Sequence, residues 1–558
     1  MIKAEELALK QKEISVSEFF TKNRHLLGFD SPAKAILMAV KEAVDNSLDA
    51  CQEMKVLPEV IVEIKELAEN RYKLSIEDNG PGIVKEQIPR IFAKLLYGSK
   101  FHAMKMQRGQ QGIGISAAVL YSQLTTGKPV VITSKTDPKN KAHHYWLHIN
   151  TLKNEPEIVK EESFEWKKDR GTKVELELEG KYQKGKQSVD EYLKQTAIVN
   201  PHAKIIYINP LNEKVEYPRA TNELPIEAQE IKPHPYGIEL GILIKMLKST
   251  ESRTLASFLQ NDFSRISNVT AKEICDKAVL DQKLKPETLT LQQSEALYKA
   301  MQNTKIIAPP TNCISPIGEE LLTKGLQKEI NAEFYTAVSR SPVVYKGRPF
   351  AIECSIAYGG DLDKEVQVRL MRFANRVPLL YQQGACAITE AVQDTNWRPY
   401  GLQQSSGSLP YGPIVLVIHM ASVWVPFTSE SKDAIAHYED IIKEIKLGLQ
   451  ECGRRLGIYI RKNVKAKEQK EKIDLFTKYI PELANSLSSL TGEKSKLLED
   501  ELTKILNKNM KELLSNIDNA EIKQEIKEEM AEHQNNKHKK AAKVEIKKTK
   551  KEVQTRLR

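Results

Sequence analysis

The sequence predicts a multidomain chain of the α/β (α+β) class. At 558 residues it is longer than a single hydrophobic core usually supports, and its composition, 41% hydrophobic and 28% charged, is that of a folded globular chain. Apolar residues recur with helical spacing over residues 32–54, and they alternate with polar ones at Tyr72, Leu74 and Ile76 as in a half-buried strand. Helix and strand patterns therefore follow each other closely in the first part of the chain.

The composition also limits the class of protein. We find no run of about 18 apolar residues and no basic-then-apolar leader, so we expect neither a membrane span nor secretion and place the chain in the cytoplasm. The six cysteines are scattered singly, without a CxxC pair or zinc-ligand spacing, which predicts free thiols. They are Cys51, Cys275, Cys313, Cys354, Cys386 and Cys452.

The net charge of +10 is concentrated in the last residues of the sequence. Residues 537–558 hold ten Lys or Arg against two acids, Glu545 and Glu552. Such a tail can follow a nucleic-acid phosphate backbone electrostatically, or it can be a solvated end of the chain. The sequence leaves both interpretations open.

The pattern of helix and strand signals divides the chain into four segments. Residues 1–225 carry mixed signals, whereas residues 226–305 carry short helices at 240–247, 254–259 and 291–301. Ala308-Pro309-Pro310 predicts a linker, because a pair of prolines cannot continue a helix. The third segment extends to residue 464. The last, 465–558, is highly charged and predicts helices.

The third segment, residues 306–464, has strand-like runs at 343–357 and 414–425 on either side of a helix-like stretch at 385–392. A long amphipathic helix follows, with an apolar stripe along one side. The stripe comprises Ile435, Ile441, Ile442, Ile445, Leu449 and Leu456. We therefore expect a β-rich domain with a long helix.

The first candidate site lies on the helix predicted over residues 32–54. Spacings of four and three residues place Glu42, Asn46 and Asp49 on one helical face. A carboxylate there can orient or deprotonate an attacking water, and the Asn oxygen can help complete the shell of a Mg²⁺ ion beside phosphates. A plain solvated helix face would show the same pattern.

A second candidate is the Asp-Asn-Gly-Pro-Gly segment at residues 78–82, directly after the strand pattern. Asp78 can accept a hydrogen bond from an exocyclic amino group, and the glycines allow the backbone to approach a flat base closely. The alternative interpretation is an ordinary turn.

A third candidate is the Gly-Gln-Gln-Gly-Ile-Gly segment at residues 109–114, which opens a helical pattern at 115–120. Successive backbone N–H groups in such a loop can bind phosphate oxygens. It is not a Walker A loop, because no Gly-Lys-Ser/Thr follows. A glycine-rich surface loop is the alternative.

The order of these segments, completed by Gly171-Thr172 before a strand pattern at 173–178, resembles the four motifs of the Bergerat-fold (GHKL) ATPases. That superfamily contains type II topoisomerase ATPase subunits, MutL-type repair proteins, heat-shock chaperones and sensor histidine kinases. Within it, residues 5–460 resemble the B subunits of archaeal-type DNA topoisomerase VI. The stretches that carry this narrower resemblance are residues 28–32, 108–123, 372–381 and 424–432.

The resemblance implies a Bergerat ATPase domain over residues 1–225, a helix-two-turn-helix domain over 226–305 and a transducer domain over 306–464. It implies that Glu42 is the general base, Asn46 a Mg²⁺ ligand and Asp78 the adenine contact. Lys432 would reach the γ-phosphate of ATP. The further nucleotide-binding positions that it implies are Asp49, Gly80, Gly82, the lid residues Ser99 and Lys100, the loop residues Gly109, Gln110, Gln111, Gly112, Ile113, Gly114, Ile115 and Ser116, and Thr172.

The function that the resemblance implies is that of an ATP-hydrolysing subunit of a type IIB DNA topoisomerase, with ATP and Mg²⁺ as cofactors. ATP binding would close two B subunits around a captured DNA duplex, and a separate A subunit in an A2B2 assembly would break a second duplex. A MutL-type repair ATPase and a chaperone-like ATPase are the alternatives. We interpret the Asp-x-Asp pattern at residues 361–363 as a turn, which fits a subunit that does not itself cleave DNA.

Overall fold

The computed structural model describes residues 11–100, 103–109 and 112–515. The chain forms two compact units, and the predicted mixed α/β class is confirmed. Among the described residues, the first unit comprises those up to Asn396 together with Gln403–Cys452, and the second comprises Trp397–Leu402 together with those from Gly453 onward. The basic tail at 537–558 and the loop residues Gln110 and Gln111 lie outside the described residues.

The first unit begins with an eight-stranded mixed sheet in the order β5-β4-β3-β6-β2-β1-β7-β8. Neighbouring strands are antiparallel except β1 and β7, which are parallel. Burial alternates along β6, so one face of the sheet carries the core. The strands are β1 (Glu59–Ala68), β2 (Arg71–Glu77), β3 (Val130–Lys135), β4 (Ala142–Asn150), β5 (Glu155–Phe164), β6 (Gly171–Glu179), β7 (Lys204–Ile208) and β8 (Lys214–Tyr217).

Five described helices belong to this region, and the predictions of a helix over 32–54 and of a helix after Gly112 are confirmed. They are α1 (Val16–Lys22), α2 (Pro32–Glu53), α3 (Ile88–Ala93), α4 (Gly114–Thr126) and α5 (Val189–Val199). Ser31 caps α2, because its hydroxyl accepts a hydrogen bond from the backbone N–H of Lys34. Pro32 then occupies the first turn, where its missing N–H leaves no donor unsatisfied.

Helix α2 is buried on nearly every side. Ile36, Ala39, Val40 and Ala43, which belong to the apolar residues that recur with helical spacing over 32–54, all lie in the core. Between residues 34 and 49 every position is buried except two that lie one turn apart, Glu42 and Asn46. This gap in the burial of an otherwise enclosed helix marks a cavity.

A separate core holds the short helices that follow. The helices predicted at 240–247, 254–259 and 291–301 are confirmed, with Thr254 acting as an N-cap rather than as a helical residue. They are α6 (Leu240–Ser249), α7 (Leu255–Asp262), α8 (Asn268–Ala278) and α9 (Leu291–Gln302), and residues such as Leu243, Phe258, Ile274 and Leu297 fill the space between them.

A second, six-stranded sheet follows, in the order β10-β11-β14-β12-β13, with β9 paired to β11. Strands β12 and β14 are parallel, and the other pairs are antiparallel. The strands are β9 (Phe334–Ser339), β10 (Val343–Tyr345), β11 (Arg348–Tyr358), β12 (Arg369–Ala374), β13 (Val377–Pro378) and β14 (Ile414–Ser422). The strand-like run predicted over 343–357 consists of two strands, β10 and β11. Lys346 and Gly347, both at positive φ, form a tight turn that makes the run a hairpin.

Four further helices complete the described chain: α10 (Glu319–Glu329), α11 (Ala387–Asp394), α12 (Glu439–Thr491) and α13 (Ser495–Ser515). The predicted long helix is α12, which has 53 residues, but the placement of Ile435 on it was wrong. Ile435 precedes the helix and forms an isolated bridge with Phe427, and its carbonyl accepts a hydrogen bond from the N–H of Ala387. These backbone contacts fix Ile435 in an extended loop.

The second unit contains a turn packed on a helix. Trp397 is fully buried, and its ring lies 6.1 Å from that of Tyr400. The Tyr400 ring in turn lies over Gly453, where a Cβ atom would come within 2.4 Å of it. Small residues in this part of α12 therefore allow the aromatic turn to approach the helix backbone.

All six cysteines are buried and none forms a disulfide, as predicted. None of the helices that the structure describes combines the length and the apolar character that a bilayer crossing needs. Within the same residues, no group of three or more His, Cys, Asp or Glu side chains is placed to hold a metal ion.

Candidate active site

A cavity of about 560 Å³ opens where α2 is not buried. Its volume falls in the range of roughly 300–1,000 Å³ that is typical of small-ligand sites. All three candidate segments of the sequence contribute to its wall, as do Thr172 and the distant Lys432. The predicted site residues that line it are Glu42, Asn46, Asp78, Gly82, Ser99, Lys100, Gly109, Gly112, Ile113, Gly114, Ile115, Thr172 and Lys432.

Glu42 and Asn46 face the start of helix α4 and the loop that leads to it. A Cβ atom at Gly114 would lie only 1.7 Å from the Glu42 Oε2 atom, and one at Gly109 would lie 3.5 Å from the Asn46 Oδ1 atom. The first N–H groups of a helix have no partner within the helix and favour anionic ligands. The carboxylate and the amide oxygen are thus held beside a place suited to phosphates.

Asp78 occupies the end of β2, next to the start of its neighbour β6. Its Oδ1 atom accepts hydrogen bonds from the backbone N–H groups of Gly80 at 2.9 Å and Thr172 at 3.1 Å, and its Oδ2 atom accepts one from the Ser47 hydroxyl at 2.9 Å. Burial raises the pKa of Asp78, although these hydrogen bonds favour the charged form. A fixed, buried acceptor therefore lies in the wall of the cavity.

The backbone around Asp78 can be built only with glycine at two positions. Gly171 has φ +134°, and a Cβ atom there would lie 2.2 Å from the carbonyl oxygen of Asp78. Gly82 has φ +71°, and its Cβ atom would lie 2.2 Å from the carbonyl oxygen of Lys135. Because these two positions are glycines, the backbone at the ends of β2 and β3 and at the start of β6 can approach closely. A narrow binding slot requires such a close approach.

Lys432 reaches this cavity from a loop more than three hundred residues further along the chain. Its side chain is 8% exposed, and its Nζ atom donates a hydrogen bond of 3.1 Å to the carbonyl oxygen of Arg108. Its backbone has φ +55°, a left-handed conformation that is uncommon outside glycine. The lysine ammonium group is thereby held beside the loop that precedes α4.

Of the predicted site residues that the structure describes, three do not line the cavity. The Asp49 carboxylate turns away to Arg108 Nη1 at 2.7 Å and Lys100 Nζ at 2.9 Å. Burial alone would raise the pKa of Asp49, but the two cations lower it to about 2. Gly80 donates its N–H to Asp78, and the Ser116 hydroxyl donates to the carbonyl oxygen of Ile113 at 2.9 Å. These residues support the cavity wall from behind.

Several charged residues around the cavity were not identified as site residues from the sequence. Arg108 is buried and bonds to Asp49, Gln52 and Asn200, while its carbonyl oxygen accepts from Lys432. Others are Lys34, Lys41 and Asp433, all buried. The sequence did contain a signal for Lys34 and Lys41, because both fall within an otherwise apolar helical pattern. A lysine buried in this way requires a partner for its charge.

Two family models match the chain. The first, described as histidine kinase-, DNA gyrase B-, and HSP90-like ATPase, matches residues 32–180, the stretch that holds Glu42, Asn46 and Asp78. A second family model, described as topoisomerase VI B subunit, transducer, matches residues 309–472. The chain belongs to the family formed by the B subunits of type 2 DNA topoisomerase 6.

Relatives with that description are similar over most of the chain. The protein of Methanococcoides burtonii is 54% identical over 87% of this chain and 78% of its own length. The protein of Methanosarcina barkeri is 52% identical over 87% and 79%, and that of Archaeoglobus fulgidus is 48% identical over 86% and 80%. The family resemblance inferred from the sequence is confirmed, and the MutL-type and chaperone-like alternatives are not favoured.

The side chains present fit the nucleotide and the metal ion that such a family implies. Within the described chain Asp78 Oδ2 accepts a hydrogen bond from Ser47, and a carboxylate oxygen has room for a second donor. Mg²⁺ commonly keeps several waters and takes few protein ligands when it is bound with phosphates. The single amide oxygen of Asn46, beside Gly109, fits that mode of binding.

Proposed function

We propose that this chain is the ATP-binding and ATP-hydrolysing B subunit of a type IIB DNA topoisomerase. The observation that carries the proposal is that Glu42, Asn46 and Asp78 share one cavity with Lys432, which lies in the region matched by the transducer model. One bound ATP would therefore contact both parts of the chain. The domains that we propose are residues 1–225, 226–305, 306–464 and 465–558, as inferred from the sequence.

Glu42 acts as the general base in this proposal. Its carboxylate adjoins the helix start at Gly114, where the γ-phosphate would be bound, so it can orient a water and accept its proton as the water attacks phosphorus. The attacking water must also be aligned with the phosphate. The buried helix α2 holds the Glu42 carboxylate in a fixed position, which favours that alignment.

Recognition of the base and phosphates is assigned to the other walls of the cavity. Asp78 accepts a hydrogen bond from the exocyclic amino group of adenine, a donor that guanine does not present at the same position. Thr172 and Gly82 shape the slot around the base, and the backbone N–H groups at the start of α4 bind the phosphates. Asn46 holds Mg²⁺, which when bound neutralises phosphate charge.

The coupling of hydrolysis to movement is assigned to Lys432. Its ammonium group donates to the carbonyl oxygen of Arg108, and a γ-phosphate would attract it more strongly because both groups are charged. ATP and ADP would then contact the lysine differently, which is the condition for a nucleotide to shift a conformational equilibrium. The state with ATP closes two B subunits around one DNA duplex, and product release reopens them.

The partners follow from this role. A separate A subunit, in an A2B2 assembly, makes the double-strand break through which the captured duplex passes, and the reaction relaxes supercoils and separates linked DNA. We place the protein in the cytoplasm with its DNA substrate. The basic residues 537–558 can contribute to DNA binding through phosphate contacts.

The first test compares the wild type with Glu42→Ala for ATP binding and for ATP hydrolysis, each with and without DNA and a candidate A subunit. Hydrolysis lost while binding is retained is the expected result. Glu320→Gln, which removes an exposed ion pair with Lys324, is the matched control and should keep wild-type hydrolysis. Unchanged hydrolysis by Glu42→Ala would refute the assignment of the base.

The division of labour between subunits has its own test. The chain alone, incubated with supercoiled DNA and then denatured, should form no covalent tyrosine adduct, whereas the complex with the A subunit should form one. An adduct on this chain would contradict the proposed role.

A further inference from the structure

The loop that carries Lys432 is held by helix α2 at two points. We define the Lys432 loop as residues 428–434, between the bridge residues Phe427 and Ile435. Lys34 and Lys41 lie about two turns apart on the same face of α2. Lys34 contacts the loop at Asp433, and Lys41 contacts it at the carbonyl oxygen of Ser431. The two contacts enclose Lys432 along the loop.

The first contact is a buried ion pair. The Lys34 Nζ atom lies 2.9 Å from Asp433 Oδ2, and the two side chains are only 8% and 4% exposed. The same carboxylate oxygen accepts a hydrogen bond of 2.7 Å from the Ser431 hydroxyl, and the Lys34 ammonium group lies 4.7 Å from the centre of the Tyr381 ring. Asp30, which is half exposed, is a more distant partner of Lys34 at 3.7 Å.

The second contact is weaker but close to the catalytic residues. The Lys41 Nζ atom donates to the Ser431 carbonyl oxygen at 3.3 Å, and Lys41 directly precedes Glu42 in the sequence. Close packing also restrains the Lys432 loop, because a Cβ atom at Gly28 would lie 3.0 Å from the Ser431 Cβ atom. The loop can therefore shift little without disturbing α2.

This arrangement matters because Lys432 itself is strained. A lysine at φ +55° has left the common conformations and keeps that geometry only when its surroundings impose it. Ion pairs that are fully desolvated contribute little net stability compared with apolar side chains of the same size. The pair between Lys34 and Asp433 is therefore better explained by the geometry that it imposes than by stability.

We propose that Lys34 and Asp433 are positioning residues, which fix the Lys432 loop to the helix that carries Glu42 and Asn46 and so set the Lys432 ammonium group at the phosphate end of the site. The inference rests on the role of Lys432 in the proposed function. It adds that the same helix supplies the catalytic carboxylate, the metal ligand and the anchor of the loop. A change in the loop is thereby transmitted directly to α2.

The test is a double-mutant cycle on ATP hydrolysis. Asp433→Asn and Lys34→Met should each lower kcat by about 10- to 100-fold, because displacements near 1 Å have effects of that size. The Kd of ATP should rise, because Lys432 contacts the γ-phosphate of bound ATP, whereas the Kd of ADP should change by no more than about twofold. In a Lys432→Ala background the same changes should cause no further loss, since the positioned group is already absent.

A purely structural role gives a different pattern. It predicts losses that multiply with that of Lys432→Ala and that follow the fall in Tm. Because either single variant leaves a buried charge without its partner, the paired variant Lys34→Met/Asp433→Leu is needed as well, and it should recover Tm while hydrolysis stays low. Wild-type hydrolysis in the paired variant, or multiplicative losses in the cycle, would overturn the proposal.

The role of Lys432 and the positioning role of Lys34 and Asp433 would be refuted by different results. If Lys432→Ala hydrolyses ATP at the wild-type rate, the assigned role of Lys432 and this inference fall together. If Lys432→Ala is impaired while Asp433→Asn and Lys34→Met are not, only the positioning role is wrong. Glu320→Gln again serves as the control, because it breaks an ion pair on an exposed helix surface.

Discussion

Replacing Gly114 by alanine adds a single methyl group against the proposed base. The new Cβ atom would lie 1.7 Å from Glu42 Oε2, 2.4 Å from its Cδ atom and 2.9 Å from its Cγ atom. Non-bonded atoms cannot approach so closely, so the carboxylate must move by roughly 1 Å or more. Gly114 has no positive φ, and the atoms contacted end a flexible side chain, so folding should be little affected. Displacement of a base by about 1 Å can lower kcat by about 100-fold.

The kcat of ATP hydrolysis and the Tm must be measured on the same preparations. Gly114→Ala should lose about 100-fold in kcat while its Tm stays near that of the wild type. Gly241→Ala is the matched control, because Gly241 also lies in the first turn of a helix, at normal φ, with nothing within 4 Å of the added atom. Wild-type hydrolysis by Gly114→Ala would refute the claim that the position of Glu42 at this helix start controls the reaction.

Three further changes test the walls of the cavity. Asp49→Asn should lower the free energy of unfolding at pH 7 by about 2 kcal/mol. Because the folded-state pKa of Asp49 is lowered to about 2, urea unfolding should show this difference shrinking as the pH falls below about 4 towards that value. The free energy of unfolding of Gly171→Ala should be about 2 kcal/mol lower than that of Gly185→Ala, because the added methyl group overlaps neighbouring backbone. Both positions have positive φ, but only at Gly171 does the added atom meet backbone, and equal Tm values would contradict this reasoning. Ser47→Ala should raise the Kd of ATP, measured by calorimetry, by about fivefold, because Asp78 loses a hydrogen-bond donor worth about 1 kcal/mol. An unchanged Kd would show that Ser47 does not support the contact between Asp78 and adenine.

The sequence allowed local elements to be predicted well where one periodicity dominates. Helix α2 was predicted within one residue of its observed end, because its apolar residues recur with helical spacing over more than five turns. The apolar pattern was less informative where backbone geometry interrupts it. The Lys-Gly-Arg-Pro segment at residues 346–349 carries a turn signal inside the strand-like run over 343–357, and that run is a hairpin. Ile435 continues a helical spacing, but it precedes the helix, and its carbonyl oxygen accepts a hydrogen bond from the N–H of Ala387.

The type and spacing of Glu42, Asn46 and Asp78 made them candidates in the sequence, and the structure places all three around one cavity. Their supporting contacts have no such local signature. Asp49 shares the face of Glu42 by spacing, yet its carboxylate is directed away by Arg108, 59 positions further along the chain. The partner of Lys34 is nearly four hundred positions away, and a sequence gives no register for a contact of that range.

The burial of every native thiol has a practical use. The thiolate is the reactive form, and burial raises the pKa of Cys51 to about 12 and of Cys275 and Cys313 to about 11. A cysteine introduced on the surface, for example at the fully open Gly241, would react with a maleimide fluorophore well before the native ones. Dye pairs could therefore report the distance between two copies of the chain during nucleotide turnover without first removing any native cysteine.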